Sequence, residues 1–187
     1  MGASNFPTVF HLISEISKKE GITCVLIGGF AVNHYNVTRL TADIDFLTTE
    51  NDFKKISQLL KKAGYSTKYR QEFFTQLESA SGNFLTDIDF MFVNNETLSG
   101  IVKDSKKIKI AGLDFLVPSI KHLLALKLHS LKNNFNFREN KDIPDIIDLI
   151  KSNNIKFQGN EFEELCLKYG NKKLCNIIRE KIGRNSK

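Results

Sequence analysis

Two stretches of the chain place pairs of aspartates where an extended backbone would align them. In Ala42-Asp43-Ile44-Asp45-Phe46-Leu47-Thr48 apolar and acidic residues alternate. A period of two sets Asp43 and Asp45 on one face and Ala42, Ile44 and Phe46 on the other. Phe84-Leu85-Thr86-Asp87-Ile88-Asp89-Phe90-Met91-Phe92-Val93 repeats the pattern, with Asp87 and Asp89 opposite Ile88, Phe90 and Phe92. Adjacent carboxylates repel unless a cation joins them, and hard divalent metals such as Mg²⁺ take oxygen ligands of this kind. Either pair alone would serve as a solvent-facing strand edge. If the strands are neighbours, their carboxylates converge as in the two-metal sites used for in-line phosphoryl or nucleotidyl transfer.

Such a site needs elements to position it. Upstream of the first pair, the apolar run Ile22-Thr23-Cys24-Val25-Leu26-Ile27 reads as a buried strand that ends at Gly28-Gly29. Without Cβ atoms the glycine pair lets another group approach the backbone, and the N–H groups of a short helix over Phe30 to Tyr35 can meet an anion such as a phosphate. Pro7 to Glu20 carries a helical apolar stripe closed by Gly21. After the first acidic strand, Asn51 or Asp52 can cap a helix that runs to Ala63 and stops at Gly64. Tyr65 to Ser79 suggests one or two strands, with Ser81-Gly82-Asn83 turning into the second acidic strand. Asn94 to Asp104 reads as a short helix. Lys106 to Ile110 and Leu113 to Val117 form a hairpin around Ala111-Gly112, and Ser119 to about Asn133 is a long helix. The composition shifts there from mixed α/β to mostly helix, which sets the expected organisation: a core over 1–117 and a helical region over 118–187 packed on it.

The 187 residues suffice for one compact domain or a core with a helical appendage. With 41% hydrophobic and 26% charged residues the composition is that of an ordinary soluble protein. No apolar run approaches the ~20 residues of a membrane span and no signal-peptide pattern opens the chain, so no membrane role and a cytoplasmic location are expected. Cys24, Cys166 and Cys175 are widely spaced in apolar surroundings, which favours reduced core residues over a disulfide framework or a zinc site. The net charge of +6 is uneven. From Cys166 onward Lys168, Lys172, Lys173, Arg179, Lys181, Arg184 and Lys187 face only Glu180, a stretch that is either a solvated basic helix and tail or a polyanion-binding surface.

The long helix holds an exception. Ile120, Leu123, Leu124, Leu128 and Leu131 make an apolar stripe, and Lys127 occupies a place inside it. A lysine turned toward a core needs a carboxylate or phosphate partner, unless its stem snorkels to solvent.

The ordered set Gly28, Gly29, Ala31, Arg39, Thr41, Asp43, Asp45 and Phe46 resembles the core motif of the polymerase-β-like nucleotidyltransferases, and among them the bacterial abortive-infection (AbiEii-like) toxins. Leu123, Lys127 and Leu128, followed by Lys141, Asp142 and Asp145, match that family's downstream segment. The resemblance implies a nucleotidyltransferase fold, a mixed α/β sheet flanked by helices with a helical C-terminal part. It also implies transfer of a nucleoside monophosphate from an NTP to a hydroxyl acceptor on tRNA or protein, with release of pyrophosphate. Asp43 and Asp45 would bind Mg²⁺ or Mn²⁺, a third carboxylate would be Asp89 with Asp87 as fallback, and Gly28, Gly29, Arg39, Thr41 and Lys127 would contact the nucleotide. Asp142 and Asp145 would support Lys127 or start the next helix. The implied setting is a toxin with an antitoxin, or phage defence. Structural roles stand beside these: a salt bridge for Arg39, a backbone hydrogen bond for the Thr41 hydroxyl, and an ordinary surface or core place for His34. Two rivals use the same fold, a non-catalytic module that binds RNA or protein and a small-molecule (antibiotic) nucleotidyltransferase.

Overall fold

A computed structural model describes residues 8–79, 86–156 and 160–184. Pro7, Ser81-Gly82-Asn83, Phe84, Leu85 and Lys187, which the sequence reading used, lie outside the described residues. The chain divides into two compact units, Met1–Ala31 with Leu40–Ser119 and Val32–Arg39 with Ile120–Lys187.

The first unit is built on a seven-stranded mixed sheet in the order β3-β4-β5-β2-β1-β7-β6. Its strands are β1 (Val25–Leu26), β2 (Ile44–Thr48), β3 (Tyr65–Gln71), β4 (Phe74–Ser79), β5 (Ile88–Phe92), β6 (Lys106–Ile110) and β7 (Leu113–Val117). β2 runs parallel to β5 and β1 parallel to β7, and the remaining pairs are antiparallel. The expected first strand over Ile22 to Ile27 shrinks to two residues. Val25 and Leu26 form the ladder, with Leu47 and Phe46 on one side and Leu116 beside Val25 on the other, before the backbone turns into the left-handed region at Gly28 (φ +60°). At the other edge Ala111 and Gly112 both have positive φ, which closes the β6–β7 hairpin tightly.

Alternation along β2 and β5 decides which face is packed. Ile44, Phe46, Ile88, Phe90 and Phe92 are buried. Phe46 stacks on Phe90 (5.8 Å between ring centres), Phe53 of helix α3 (Glu50–Lys62) meets both Phe90 and Phe92, and Phe10 of helix α1 (Val9–Glu20) meets Phe115. Thr8 caps α1 and Gly21 ends it in the left-handed conformation. The cap of α3 is Thr49, whose hydroxyl accepts from the Asp52 N–H, and not Asn51 or Asp52 as expected. The threonine at the strand's end has the extended backbone that a cap requires, so the helix starts earlier, at Glu50. Helix α4 (Asn95–Lys103) has its cap at Asn94.

The second unit holds helices α5 (Ile120–Asn133), α6 (Phe135–Ser152), α7 (Asn160–Tyr169) and α8 (Lys172–Arg184). Helix α2 (Gly28–His34) starts in the first unit and ends in the second, where the Asn33 amide clamps the backbone N–H and C=O of Arg39, each at 2.9 Å. The apolar stripe of α5 is buried as expected, Lys127 included. Asp142 and Asp145 are not helix-start residues. They sit on the buried side of α6, which continues through Pro144, whose position is exposed, so the carbonyl that loses its donor can meet water. Cys24, Cys166 and Cys175 are all buried. No described helix is long and apolar enough to cross a membrane.

Candidate active site

The parallel ladder between β2 and β5 fixes the acidic face. Ile44 pairs with Ile88 and Asp45 with Asp89, so the two aspartates stand side by side on strands about 4.8 Å apart. Asp43 and Asp87 come one residue before their strands, and the Ile44 N–H donates to the Asp87 carbonyl at 3.4 Å, which carries the pairing back to them. All four aspartates are partly exposed, whereas Ile44, Ile88 and Phe90 on the opposite face are buried. Gln76 of β4 is the register partner of Asp89 and extends the polar row.

The glycine pair serves this face. A Cβ on Gly28 would fall 1.8 Å from Asp45 Oδ2, and one on Gly29 would fall 2.5 Å from Thr41 Oγ1. The close approach that the glycines permit is made by the chain itself: the Asp45 carboxylate lies over the turn, and the Thr41 side chain packs beside it. Ile27 N–H to Asp45 C=O (2.9 Å) holds the turn against β2, and the Thr41 hydroxyl donates to the Asp43 carbonyl at 3.1 Å.

Among the described residues Lys68 brings a cation to these carboxylates, and the sequence reading missed it. Lys68 Nζ donates to Asp87 Oδ2 at 3.2 Å and lies 3.9 Å from Glu78 Oε2. The hydrogen bond and charge of Asp87, with added charge from Glu78 and Asp43, hold the ammonium above its usual pKa range. Lys68 falls at the register shift between Thr67 and Tyr69 in the β3–β4 pairing, so no ladder partner fixes it. Only the basic side chain was legible beforehand; the bulge that aims it belongs to the sheet.

The donor chemistry fits a hard divalent cation: carboxylates paired in register, each partly exposed, with a side-chain-free turn that seats Asp45. Asp43, Asp45 and Asp89 would hold it. As the side chains stand, with Asp45 over Gly28 and Asp87 on Lys68, no three His, Cys, Asp or Glu among the described residues are gathered closely enough to hold a metal ion.

The other residues picked from the sequence lie in the second unit and form a cluster of their own. Lys127 Nζ donates to Asp142 Oδ1 (2.9 Å) and Asp145 Oδ2 (2.6 Å). Arg39 Nη1 donates to Asp145 Oδ2 at 2.7 Å, and Arg138 grips Asp142 through Nε and Nη2 (2.8 and 3.2 Å). The side chains of Lys127, Asp142 and Asp145 are 6%, 0% and 6% exposed. Burial raises the Asp142 pKa, but the charges and hydrogen bonds of Lys127 and Arg138 outweigh it and hold the carboxyl below its usual range. Of the two partners open to Lys127, the geometry supplies carboxylates. Arg39 likewise has its salt bridge, with Asp145. Lys141 is half-buried on α6. In the basic C-terminal stretch, Arg179 pairs with Glu163 (2.8 Å), and Lys173 lies 6.0 Å from the ring centre of Phe135, while Lys172 and Lys181 are exposed. His34 is exposed, edge-on to Tyr35.

Residues 10–179 match the family described as "Uncharacterised nucleotidyltransferase". No curated protein matches the chain. Among solved structures, ANT(2″)-Ia in complex with adenylyl-2″-tobramycin aligns with TM-score 0.62 at 15% identity, over 86% of this chain and 94% of that one. The lincomycin-bound lincosamide antibiotic adenylyltransferase LnuA aligns with TM-score 0.51 at 17% identity, over 73% and 91%. The Megavirus polyadenylate synthase aligns with TM-score 0.52 at 19% identity, over 77% of this chain and 30% of that one. These likenesses show a shared nucleotidyltransferase fold.

Proposed function

Since the chain belongs to the uncharacterised nucleotidyltransferase family, we propose that it moves a nucleoside monophosphate from an NTP to a hydroxyl acceptor with the help of Mg²⁺ or Mn²⁺ and releases pyrophosphate. The observation that carries this reading is the in-register pair Asp45 and Asp89 beside the Gly28-Gly29 turn. Asp43, Asp45 and Asp89 hold the ion, which when bound supplies positive charge to offset the triphosphate and the departing pyrophosphate. Asp89, at the strand position next to Asp45, takes the proton of the attacking acceptor hydroxyl. Gly28 gives Asp45 its seat, and Thr41, against Gly29 and bonded to the Asp43 carbonyl, keeps the turn and the Asp43 backbone in register. Arg39 and Lys127 have a structural role in this reading, because their charged ends are already engaged by Asp142 and Asp145.

For the acceptor we favour RNA over protein. The second unit carries 15 of the chain's 27 Lys and Arg and 8 of its 21 Asp and Glu, a net +7 suited to a polyanion. The setting of a toxin with an antitoxin rests on the motif resemblance to the AbiEii-like proteins. Incubation with each α-labelled NTP and Mg²⁺, with total RNA or lysate protein as acceptor, tests the reading: label is expected in RNA. Label in a small molecule alone would move the protein to antibiotic-type acceptors, and label nowhere would favour the non-catalytic module.

A further inference from the structure

The face of the sheet that carries Asp89 continues across β4 and β3 into a pair of aromatic rings. We propose that Tyr69 and Phe74 form a stacking platform for the terminal nucleobase of a single-stranded RNA acceptor, whose ribose hydroxyl is thereby brought to Asp89. The inference rests on the transferase reading and the RNA acceptor proposed above, and concerns where the last nucleotide of that acceptor lies.

Register sets which way the rings point. Gln76 stands opposite Asp89 and Phe74 opposite Met91, while on the next strand Tyr69 stands opposite Gln76 and Gln71 opposite Phe74. Opposed residues of a ladder share a face, so Tyr69, Gln71, Phe74 and Gln76 lie on the face of Asp89. The alternate residues turn the other way: Thr75 and Leu77 are buried, and the Arg70 guanidinium lies 5.6 and 5.8 Å from the ring centres of Phe53 and Phe92 on the packed face. Beyond Tyr65, β3 is exposed along its whole length, so the core does not require an aromatic residue at Tyr69. Tyr69 is 49% exposed and Phe74 half-buried, with ring centres 6.4 Å apart, and the Gln71 amide donates to the Tyr69 hydroxyl and holds that ring in place. Phe74 is the diagonal neighbour of Asp89, about 7–8 Å away along the sheet, and Tyr69 is two strand spacings away, about 10 Å. One nucleoside bridges such a gap, its hydroxyl at the carboxylate and its base over the rings. Ends of single-stranded RNA are held in this way, with unstacked bases on aromatic side chains and their edges hydrogen-bonded, and Gln76 places an amide donor and acceptor on the same face. A protein strand would instead use the backbone edge of β3, for which neither the rings nor the amides are needed.

A short single-stranded RNA with 2-aminopurine as its 3′-terminal base, titrated with the full chain and Mg²⁺ in the absence of NTP, reads the contact directly, because stacking on an aromatic ring quenches that base. The parent is expected to quench a 3′-terminal probe and to leave a 5′-terminal probe nearly unchanged. Tyr69→Leu and Phe74→Leu keep apolar bulk but remove a ring, so each should lose quenching and weaken RNA binding about tenfold. Tyr69→Phe and Phe74→Tyr retain the ring and should retain the quenching. In transfer from an α-labelled NTP, the Leu variants should raise KM for RNA about tenfold against a KM for NTP within about twofold of the parent's. Melting temperatures taken on the same samples identify any loss that comes from unfolding. Parental quenching and affinity in both Leu variants, with RNA still labelled, would overturn the platform and leave the transferase reading standing. Label that enters protein instead, and less of it in the Leu variants, would give the rings to a peptide acceptor and overturn the nucleobase assignment. A parent that neither binds RNA nor labels it would overturn the RNA reading and this inference together.

Discussion

Asp87 in the first unit and Asp142 in the second are each held by basic side chains, on opposite terms. The Asp87 carboxylate pairs with Lys68, and both are partly open to water. Asp142 is fully buried between Lys127 and a bidentate Arg138, and its neighbour Asp145 is shared by Lys127 and Arg39. The unit totals follow the same division: with +7 in the second unit and +6 for the chain, the first is left at −1. Carboxylates saturated by buried cations are committed to structure, because removing any member strands a desolvated charge. In the proposed function, the carboxylates paired in register and partly open to water are the ones that meet the incoming ion and its phosphates.

The largest effect that could break this division is on the buried cluster. Lys127→Met keeps the apolar stem and leaves Asp142 and Asp145 short of a cation, so it should cost about 3–5 kcal/mol of stability. NTP affinity, measured on the same protein below its melting temperature, should be unchanged. A stable variant with weakened NTP binding would instead make Lys127 a phosphate ligand.

A change at the turn should cost less stability and more function. Gly28→Ala must hold a left-handed φ, at roughly 1–2 kcal/mol, and must displace the Asp45 carboxylate. We expect a melting temperature lowered by several degrees and transfer lost even where the protein is folded. A variant with parental transfer would show that the seat of Asp45 is unimportant.

The smallest effect is set by pH. The Asp142 pKa is depressed in the folded chain, so its contribution to stability is fully present above the unfolded value of about 3.9 and fades as pH falls through the folded value. Asp142→Asn should thus be destabilised at pH 7, with the gap from the parent narrowing below about pH 4. A gap constant across that range would mean that the carboxylate is not charged in the folded protein.

The two acidic strands were legible because period two and a glycine pair are local signals; their pairing in register is what the structure adds. Lys127 was legible as an anomaly, since a lysine in a leucine stripe demands a partner, yet its partners come from the next helix. There aspartates suggested a helix start. That preference lost to tertiary pairing: Arg39, Lys127 and Arg138 stabilise Asp142 and Asp145 inside α6. Lys68 and the Asn33 clamp on Arg39 were illegible for the same reason. One depends on a bulge and the other on a loop closing on itself, and neither leaves a period in the sequence.

Pyrophosphate release and label transfer from an α-labelled NTP with Mg²⁺, compared between Asp45→Asn and Asp145→Asn at a temperature where both remain folded, test the central division most directly. The account predicts that Asp45→Asn loses transfer by about a thousandfold with its melting temperature unchanged, while Asp145→Asn keeps most of its transfer and melts well below the parent. Parental transfer in Asp45→Asn, or an inactive Asp145→Asn with parental stability, would contradict it.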